Sequence, residues 1–536
     1  MSGVGKGITT SSIGKLLQAK GFKVNLVKAD PYLNVDAGTM NPTEHGEVFV
    51  LSSGLECDQD MGNYERFLDI DLGSDDYITS GMVYRHVIEK ERNLGYKGKC
   101  VEAIPHITGE ITRRIEKAAE VSGSDISIIE VGGTVGDYQN IMFIEAARVL
   151  RLRNPKDVAF ILVSFLPVPT TIGEMKTKPT QNAVRQLNSY GVQPDMIIAR
   201  ASVALDAKRK EKIAIACSVP VESVISAPDI ESVYDVPVNF EKDNLSQIVL
   251  ESINLRSRVK KDGFKKWKSF VSRVKAQKDD VNIAIIGKYF DTGEFVLSDA
   301  YISVIEAIKY SAYKVGRNPK LTWLSSKDFE NGAKELAMLK GFDGILVPGG
   351  FGESGIEGKL KAIEYARVHK IPYFGLCYGM QLAVIEYARN VLGLKEANTT
   401  EIDPASPNPV IDIMPEQKKN LAESKYGATM RLGSYPAHLK TGTIARNAYG
   451  EDIISERHRH RYEVNPEYIG ALEKAGLVFS ATSPNGVLME IAELPRRVHP
   501  FFLGTQFHPE FQARPLAPHP LFTEFIKAAS VKRKKK

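Results

Sequence analysis

Short, apolar, β-branched runs alternate with helix-periodic stretches along this chain, and that alternation constrains the fold more than any other feature. In the first 255 residues, the runs at 22–27, 126–131, 158–166 and 196–199 have the length and composition of buried strands. Stretches with helical periodicity, such as residues 111–119, separate them. Parallel strands need crossover helices and are buried on both faces, so the pattern predicts a mostly parallel sheet in an α/β fold.

A second alternation of the same kind begins at Asn282. Its strand-like segments are residues 321–324, 344–348 and 371–376. A chain of 536 residues is too long for a single hydrophobic core. We therefore predict two doubly wound α/β domains with mostly parallel sheets, at residues 1–255 and 281–528.

The two predicted domains are joined by a lysine-rich segment at residues 256–280, which we interpret as a basic linker. Phe264, Trp267 and Phe270 recur in it at helical spacing, which is typical of a surface connector helix. Residues 529–536 are predicted to form a disordered tail, and its last five residues carry five positive charges, as many as the formal net charge of +5. The body of the chain is thus near neutral and gives no electrostatic footprint for nucleic acid.

The cysteines and the apolar segments indicate the expected compartment. Cys57, Cys100, Cys217 and Cys377 are scattered without CxxC pairs, so neither a disulfide framework nor a zinc site is predicted. The apolar run at 158–166 is far shorter than the roughly 20 residues that span a bilayer. We expect no signal peptide, no membrane or nucleic-acid partner, and a soluble protein in the cytoplasm.

Cys377 stands in a Gly-x-Cys-x-Gly sequence at residues 375–379, between an apolar strand and a predicted helix. Glycines on both sides permit the sharp strand-to-helix turn that exposes a nucleophile, and a helix N-terminus stabilises a thiolate. Taken alone, this cysteine fits a buried structural role better than a catalytic one. Two further segments favour catalysis.

The first of these segments is the glycine turn at residues 347–352, and the second is Gly-Thr-Gln-Phe-His-Pro-Glu at residues 504–510. The backbone N–H groups of Gly350 and Tyr378 are candidates for an oxyanion hole, while His508 supplies a base and Glu510 a carboxylate that orients it. In this order on an α/β scaffold, the three segments resemble the class I, triad-type glutamine amidotransferases. The resemblance implies that Cys377 attacks the side-chain amide of glutamine and releases ammonia.

The other end of the chain carries a phosphate-binding signal. A Gly-Lys turn feeding a helix is how P-loops hold phosphate, because backbone N–H groups and the helix dipole meet the negative charge. The residues predicted to contact ATP in this way are Ser2, Gly3, Val4, Gly5, Lys6, Gly7 and Ile8.

Longer motifs resemble the CTP synthase family over nearly the whole chain. They include KADPYLNVD at 28–36, HGEVFV at 45–50, GNYERF at 62–67, EVGGTVGD at 130–137 and KTKPTQ at 176–181. The resemblance implies an ATP-dependent C–N ligase: ATP phosphorylates O4 of UTP, and ammonia channelled from the glutaminase displaces the phosphate to give CTP. It also implies a P-loop NTPase-like synthetase domain followed by a class I glutamine amidotransferase domain.

The same resemblance assigns site residues by position. It places Lys28, Asp60, Arg200 and Asp229 with the loop residues around ATP, and Asp60 with Glu130 as ligands of Mg²⁺, which prefers carboxylate oxygens. Residues matching the family's glutamine-binding positions are Gln381, Glu401 and Arg461, and those matching its ammonia passage are His45 and Val48. The positions for UTP or CTP are Ser2, Asp137, Tyr138, Gln139, Lys176, Thr177, Lys178, Pro179, Thr180, Gln181 and Lys212. The implied partners are UTP, ATP and L-glutamine, GTP as an allosteric activator, CTP as a feedback inhibitor, and further copies of the chain in a homotetramer.

Several positions depart from the family pattern. About a dozen residues, forming a first strand and the leading glycines of the P-loop, usually precede the position of Met1, so we expect this domain to lack that strand. Tyr138-Gln139 replaces the usual Ile-Glu, Ser354 stands where arginine is common, and Tyr378 replaces leucine. Two alternatives stay open at this point: a synthetase-inactive structural or regulatory subunit of such assemblies, and an amidotransferase that acts on another acceptor. His106 and the histidines at 458 and 460 are interpreted as structural or substrate-pocket residues, since no carboxylate or cysteine lies at ligand spacing.

Overall fold

A computed structural model describes residues 3–171, 173–259, 263–287, 298–330, 333–350, 355–414, 417 and 427–531. Ser2, Ser354 and the basic residues 532–536 of the predicted tail lie outside the described residues.

Strands and helices alternate as the sequence predicts. The strands are β1 (Val24–Asp30), β2 (Phe49–Val50), β3 (Glu56–Cys57), β4 (Tyr77–Thr79), β5 (Ile126–Val131), β6 (Ile161–Phe165), β7 (Met196–Ala201), β8 (Val224–Pro228), β9 (Asp280–Gly287), β10 (Asn318–Ser325), β11 (Gly344–Val347), β12 (Tyr373–Leu376), β13 (Ala397–Thr399), β14 (Asn408–Ile413), β15 (Arg431–Leu439), β16 (Ile453–His460), β17 (Tyr462–Val464), β18 (Val478–Thr482), β19 (Met489–Leu494) and β20 (Phe502–Thr505).

The helices are α1 (Lys6–Ala19), α2 (Pro42–His45), α3 (Gln59–Leu68), α4 (Ser80–Arg92), α5 (Thr108–Ser122), α6 (Ile141–Arg153), α7 (Lys178–Ser189), α8 (Ala207–Cys217), α9 (Val236–Phe240), α10 (Leu245–Ser252), α11 (Lys265–Ala276), α12 (Ile302–Lys314), α13 (Ala333–Met338), α14 (Ile356–Val368), α15 (Tyr378–Asn390), α16 (Ile444–Tyr449), α17 (Pro466–Lys474) and α18 (Pro520–Ala529).

The chain packs into two compact units whose bounds differ from the predicted domain limits at residues 37–62 and at the predicted linker, which is divided after Val271. The first unit comprises Met1–Asp36 and Asn63–Val271, and the second comprises Ala37–Gly62 and Ser272–Lys536. Residues 37–62 therefore belong by packing to the second unit, although they lie in the N-terminal half of the sequence.

The first unit contains two three-stranded parallel sheets, in the orders β4-β1-β5 and β6-β7-β8. Strand β1 is buried along its whole length, as expected for a parallel strand covered on both faces. The apolar face of α11, in the predicted linker, also packs into this unit: Trp267 and Phe270 are buried, and the Trp267 Nε1–H donates to the Tyr234 carbonyl at 2.9 Å.

The second unit is built on a nine-stranded sheet in the order β10-β9-β11-β12-β20-β19-β18-β15-β16. The strands from β10 to β20 in that order are parallel, and the rest are antiparallel. The predicted α/β architecture with mostly parallel sheets is confirmed. Strands β12 and β20 are neighbours, so their carboxyl ends place Cys377 and residues 506–510 at the same edge of the sheet.

Candidate active site

Cys377 lies at the turn between β12 and α15. Its φ of 49° and ψ of −100° are rare for a residue with a side chain, and such strain is typical of nucleophile turns. The turn is held in place because the Cys377 N–H donates to the Thr505 carbonyl of β20 at 2.6 Å. Gly379 must be glycine here, since a Cβ at this position would lie 2.2 Å from the Val347 carbonyl oxygen. The strand-to-helix turn predicted around Cys377 is therefore present.

His508 and Glu510 form a buried pair at the same sheet edge. The His508 Nδ1–H donates to Glu510 Oε1 at 2.6 Å, and the imidazole stacks on Phe511 with ring centres 5.0 Å apart. Burial disfavours the charged ring, but the negative charges of Glu510 and Cys377 outweigh it and raise the pKa of His508 to about 10. With Nδ1 bonded to Glu510, Nε2 is the ring nitrogen left to act on the Cys377 sulfur or on a ligand.

A cavity of about 70 Å³ in the second unit joins these groups. A Cβ added to Gly349 would lie 2.8 Å from His508 Cε1 and 3.7 Å from Cys377 Cβ, so the glycine turn packs directly against both side chains. The residues lining the cavity are Pro42, Glu47, Val48, Ala300, Tyr301, Val304, Gly349, Gly350, Cys377, Arg459, His508, Glu510 and Phe511. Gly350 therefore faces the cavity, and Tyr378 opens α15, where a first-turn N–H has no intrahelical acceptor.

The three residues expected to hold glutamine lie around Tyr462. Gln381 is buried and its Nε2 donates to the Tyr462 carbonyl at 2.9 Å. Glu401 and Arg461 both act on the Tyr462 phenol, whose pKa is raised by burial and then by the charge of Glu401. Arg461 Nη1 also donates to Gln417 Oε1 at 2.8 Å. The structure thus brings these residues together beside the site, although they do not line its cavity.

Residues 37–62 supply one wall of the cavity. Val48 is buried there, whereas His45 is exposed at the end of α2. The neighbouring Glu47 was missed by sequence reasoning: its buried carboxylate accepts hydrogen bonds from the Ser303 N–H, at 3.2 Å, and from the Ser303 hydroxyl. No local pattern connects residues so distant in sequence, so this contact could not have been predicted.

The glycine-lysine loop of the first unit has a P-loop-like start. Gly5, in the left-handed region with a φ of 80°, precedes α1, and Gly3 has a φ of 71°. Lys6 Nζ donates to the Gly133 carbonyl at 3.1 Å, which places this lysine at the end of β5. Val4, Gly7 and Ile8 complete the loop and the first helical turn.

Lys28 and Glu130 form a buried ion pair in the same unit. Lys28 Nζ lies 3.0 Å from Glu130 Oε1, and the Tyr64 hydroxyl donates to Glu130 Oε2 at 2.5 Å. Each carboxylate oxygen has two lone pairs, so Glu130 retains acceptor capacity and its chemistry fits a magnesium ligand. Asp60 belongs to the other packing unit, and its pairing with Glu130 stays a prediction.

Arg200 and Asp229 also lie near the loop. Arg200 Nη2 is 2.9 Å from Asp229 Oδ1, and a Cβ on Gly5 would lie 3.9 Å from Arg200 Nε. Gly5, Arg200 and Asp229 are therefore linked by contacts, and Lys6 follows Gly5 directly in the loop. These four predicted ATP residues occupy one region of the first unit.

The predicted UTP segment begins α7. Lys176 pairs with Glu174 at 2.7 Å, and the hydrogen bond from Lys176, then its positive charge and, more weakly, that of Lys212 lower the pKa of that carboxyl. Lys178 and Pro179 are exposed at the helix start. The remaining side chains are tied within the unit, since Thr180 shares a hydrogen bond of 2.8 Å with Ser164 and Gln181 donates to Thr177 at 3.1 Å.

The segment from Asp137 to Gln139 lies at the surface near α7, since a Cβ added to the preceding Gly136 would lie 3.7 Å from Gln186 Cγ. Asp137 Oδ2 accepts from the Thr134 N–H at 2.8 Å, while Tyr138 is 93% exposed and Gln139 is also exposed. No contact in the described part of the chain assigns these two side chains a role within one copy.

Among the residues that the structure describes, no group of three or more His, Cys, Asp or Glu side chains is placed to hold a metal ion. No described helix is long and apolar enough to cross a membrane.

Comparison with known proteins places this geometry in a family. Residues 1–255 match the family model "CTP synthase N-terminus" and residues 296–528 match "Glutamine amidotransferase class-I". The chain is 49% identical to the CTP synthase of Thermococcus gammatolerans over 99% of its length and 97% of the relative, and 49% identical to that of Methanococcoides burtonii over 100% and 98%. A solved glutaminase domain of Trypanosoma brucei CTPS with bound acivicin is 38% identical over 47% of this chain and 95% of that one, with a TM-score of 0.43. The chain belongs to the CTP synthase family.

Proposed function

We propose that this protein makes CTP from UTP, ATP and ammonia, and that its second unit supplies the ammonia from L-glutamine. The observation that carries the proposal is the placement of Cys377 and the His508–Glu510 pair on one cavity, in a chain matched over nearly its whole length by CTP synthases. That full-length match does not favour the alternative of a synthetase-inactive subunit.

The Cys377 thiolate is the proposed nucleophile. It attacks the amide carbon of glutamine, and the N–H groups of Gly350 and Tyr378 stabilise the oxyanion. The proton on His508 Nε2 passes to the departing nitrogen as the C–N bond breaks, leaving a glutamyl thioester and ammonia. His508 then takes a proton from water, which hydrolyses the thioester to glutamate. Glu510 keeps the imidazole oriented through Nδ1.

Substrate glutamine is held by Gln381, Glu401 and Arg461 in this proposal. A carboxylate and a guanidinium suit its α-ammonium and α-carboxylate groups. Ammonia leaves the cavity past Val48 and His45, and burial of Val48 in the cavity wall supports the start of that passage.

The first unit is the proposed synthetase. Lys6 and the loop amides of Gly3, Val4, Gly5, Gly7 and Ile8 bind the ATP phosphates, with Ser2 before them and Lys28, Arg200 and Asp229 nearby. Phosphate is transferred to O4 of UTP, and ammonia displaces it at C4. UTP or its product is bound by Asp137, Tyr138, Gln139, Lys212 and the segment of residues 176–181, whose lysines suit a triphosphate.

Magnesium is the proposed cofactor. Asp60 and Glu130 would hold it through carboxylate oxygens, together with phosphate oxygens of the nucleotide. When bound, the ion neutralises charge on the transferring phosphoryl group.

The remaining proposals concern regulation and assembly. GTP activates the glutaminase, CTP inhibits its own formation, and the chain assembles into a homotetramer in the cytoplasm. Tyr138, almost wholly exposed in one copy, supports a surface that other copies or a nucleotide complete.

The test is nucleotide amination by the purified protein with ATP, magnesium and GTP. We expect CTP to form from UTP with either glutamine or ammonium as the nitrogen source, and no amination of other nucleoside triphosphates. Amination of a different acceptor, or hydrolysis of glutamine without any CTP formed from either nitrogen source, would overturn the proposed function.

A further inference from the structure

Gln506 connects the nucleophile to a chain of buried polar groups. Its side chain is fully buried, and its Nε2 lies 3.7 Å from the Cys377 sulfur, within hydrogen-bonding distance for a sulfur acceptor. Its Oε1 accepts from Gln381 Nε2 at 3.2 Å.

The orientation of these two amides follows from their partners. Gln381 Nε2 is close to two oxygens, the Tyr462 carbonyl at 2.9 Å and Gln506 Oε1 at 3.2 Å. A flipped Gln381 would place its own oxygen against the Tyr462 carbonyl, and neither atom could donate. With Gln381 donating, Gln506 must use Oε1 as the acceptor, so its NH₂ group faces the sulfur.

The Tyr462 carbonyl also contacts His460, which forms a hydrogen-bonded pair with His458. His460 Nδ1 lies 3.2 Å from the Tyr462 carbonyl, which can only accept, so the ring proton is on Nδ1. In the neutral ring, His460 Nε2 is then an acceptor, and it lies 2.9 Å from His458 Nδ1, which donates to it; Arg431 Nη1 lies farther from the same His458 nitrogen, at 3.4 Å. The Tyr462 carbonyl therefore receives hydrogen bonds from both His460 and Gln381.

The surroundings keep both rings neutral. His458 and His460 are buried, and burial together with the positive charge of Arg431 holds the pKa of each well below 6.5. The charged and titratable groups facing them are Arg431, Glu463, Glu490 and His508, and burial raises the pKa of both Glu463 and Glu490. At neutral pH the pair thus acts as a fixed hydrogen-bond element and not as a source of charge.

We propose that Gln506 is a donor to the catalytic thiolate: its NH₂ group, oriented by Gln381, stabilises negative charge on Cys377 and directs the sulfur. The inference rests on the proposed function, because it takes Cys377 as the nucleophile. A donor to the charged form favours that form, and only the thiolate attacks the amide. Gln506 thus complements His508, which approaches the same sulfur from the side of the glycine turn.

Gln506→Glu in the full-length protein is the sharpest test. It keeps the side-chain length and an oxygen for Gln381, and it replaces the NH₂ group that faces sulfur with a second oxygen. We expect the pH of half-maximal iodoacetamide labelling of Cys377, followed by peptide mass spectrometry, to rise by about one unit, and kcat for glutamine hydrolysis to fall about tenfold. CTP formation from ammonium should be unchanged.

Two further variants keep the test decisive. Gln506→Met removes the donor without adding charge and should shift the labelling midpoint in the same direction. Gln512→Glu is the matched control, since the Gln512 amide donates to the Ser455 carbonyl at 2.8 Å and does not face the sulfur; its midpoint should be that of the unaltered protein. If the methionine variant loses ammonium-dependent synthesis and so fails as a folded protein, Gln506→Leu takes its place, because the charge added in Gln506→Glu would by itself raise the labelling midpoint.

An unchanged labelling midpoint in an uncharged Gln506 variant that still makes CTP from ammonium overturns the proposal, since a purely structural role would leave that midpoint in place. Failure of this inference is distinguishable from failure of the proposed function. If the proposed function fails, Cys377→Ala would still hydrolyse glutamine. If only the role of Gln506 fails, Cys377→Ala would not hydrolyse it.

Discussion

Gly349→Ala should lower the glutaminase activity and spare the synthetase activity, because it displaces the imidazole ring of His508. The added methyl carbon would lie 2.8 Å from His508 Cε1, while carbon atoms in contact are about 3.5 Å or more apart. The imidazole must therefore retreat by about 0.7 Å. Phe511 stacks on the ring at 5.0 Å with an interplanar angle of 16°, and the bond of 2.6 Å to Glu510 restrains rotation, so this retreat disturbs the alignment with Cys377.

Misplacement of a catalytic group by about 1 Å costs roughly 100-fold in rate, so we expect kcat/KM for glutamine to fall roughly 30- to 100-fold. Ammonium-dependent CTP formation should stay within about twofold, because the first unit is untouched. Both activities are measured as CTP formed from UTP. Gly470→Ala, on α17 where an added Cβ meets nothing within 4 Å, is the matched control. Glutamine activity of Gly349→Ala equal to that of the control would refute the reasoning.

Two further predictions concern stability. Lys28→Met leaves the buried Glu130 carboxylate without its cation, and we expect the free energy of unfolding of the first unit to fall by about 3–5 kcal/mol. Unfolding in denaturant is followed by the fluorescence of Trp267, in a background where Trp323 is replaced by Phe. A loss below about 1 kcal/mol would contradict the assignment of a buried pair. The pKa of His508 is raised from 6.5 to about 10, so its stabilising contribution is complete below pH 6.5, declines as pH rises, and is absent above about pH 10. Glu510→Gln removes a cause of that pKa shift. The urea midpoints of Glu510→Gln and of the unaltered protein should therefore converge as pH rises from 6.5 to about 10. A difference between the two midpoints that stays constant over this pH range would argue against the charged pair.

The parts of the site that were predictable from sequence are those encoded locally. Gly375, Cys377 and Gly379 specify a turn by their own backbone and steric requirements, and the structure has that turn. The spacing of His508 and Glu510 likewise suffices to form their hydrogen bond within one short segment. Strand positions were also predictable from apolar runs, although the run at 158–166 yields a shorter strand, Ile161–Phe165.

Long-range placement was not predictable in the same way. Residues 37–62 pack with the second unit through contacts such as Glu47 to Ser303, and no periodicity or spacing connects such distant residues. The role of Gln506 depends on which atom of its amide faces Cys377, and that follows only from the partners brought to it by Gln381 and Tyr462. The antiparallel half of the large sheet, from β19 to β16, was likewise missed, since polar and charged residues interrupt strands such as β15 and β16 and leave no apolar run to predict them from.

The most direct test of the account is the nitrogen source used by Cys377→Ala. CTP formation is measured with glutamine and, in parallel, with ammonium, each with ATP, UTP, magnesium and GTP, and folding is checked by thermal unfolding. We predict that the variant loses glutamine-dependent synthesis and retains ammonium-dependent synthesis at the level of the unaltered protein. Equal loss of both activities in a folded variant, or CTP formation from glutamine without Cys377, would contradict a cysteine that serves only to supply ammonia to a second site.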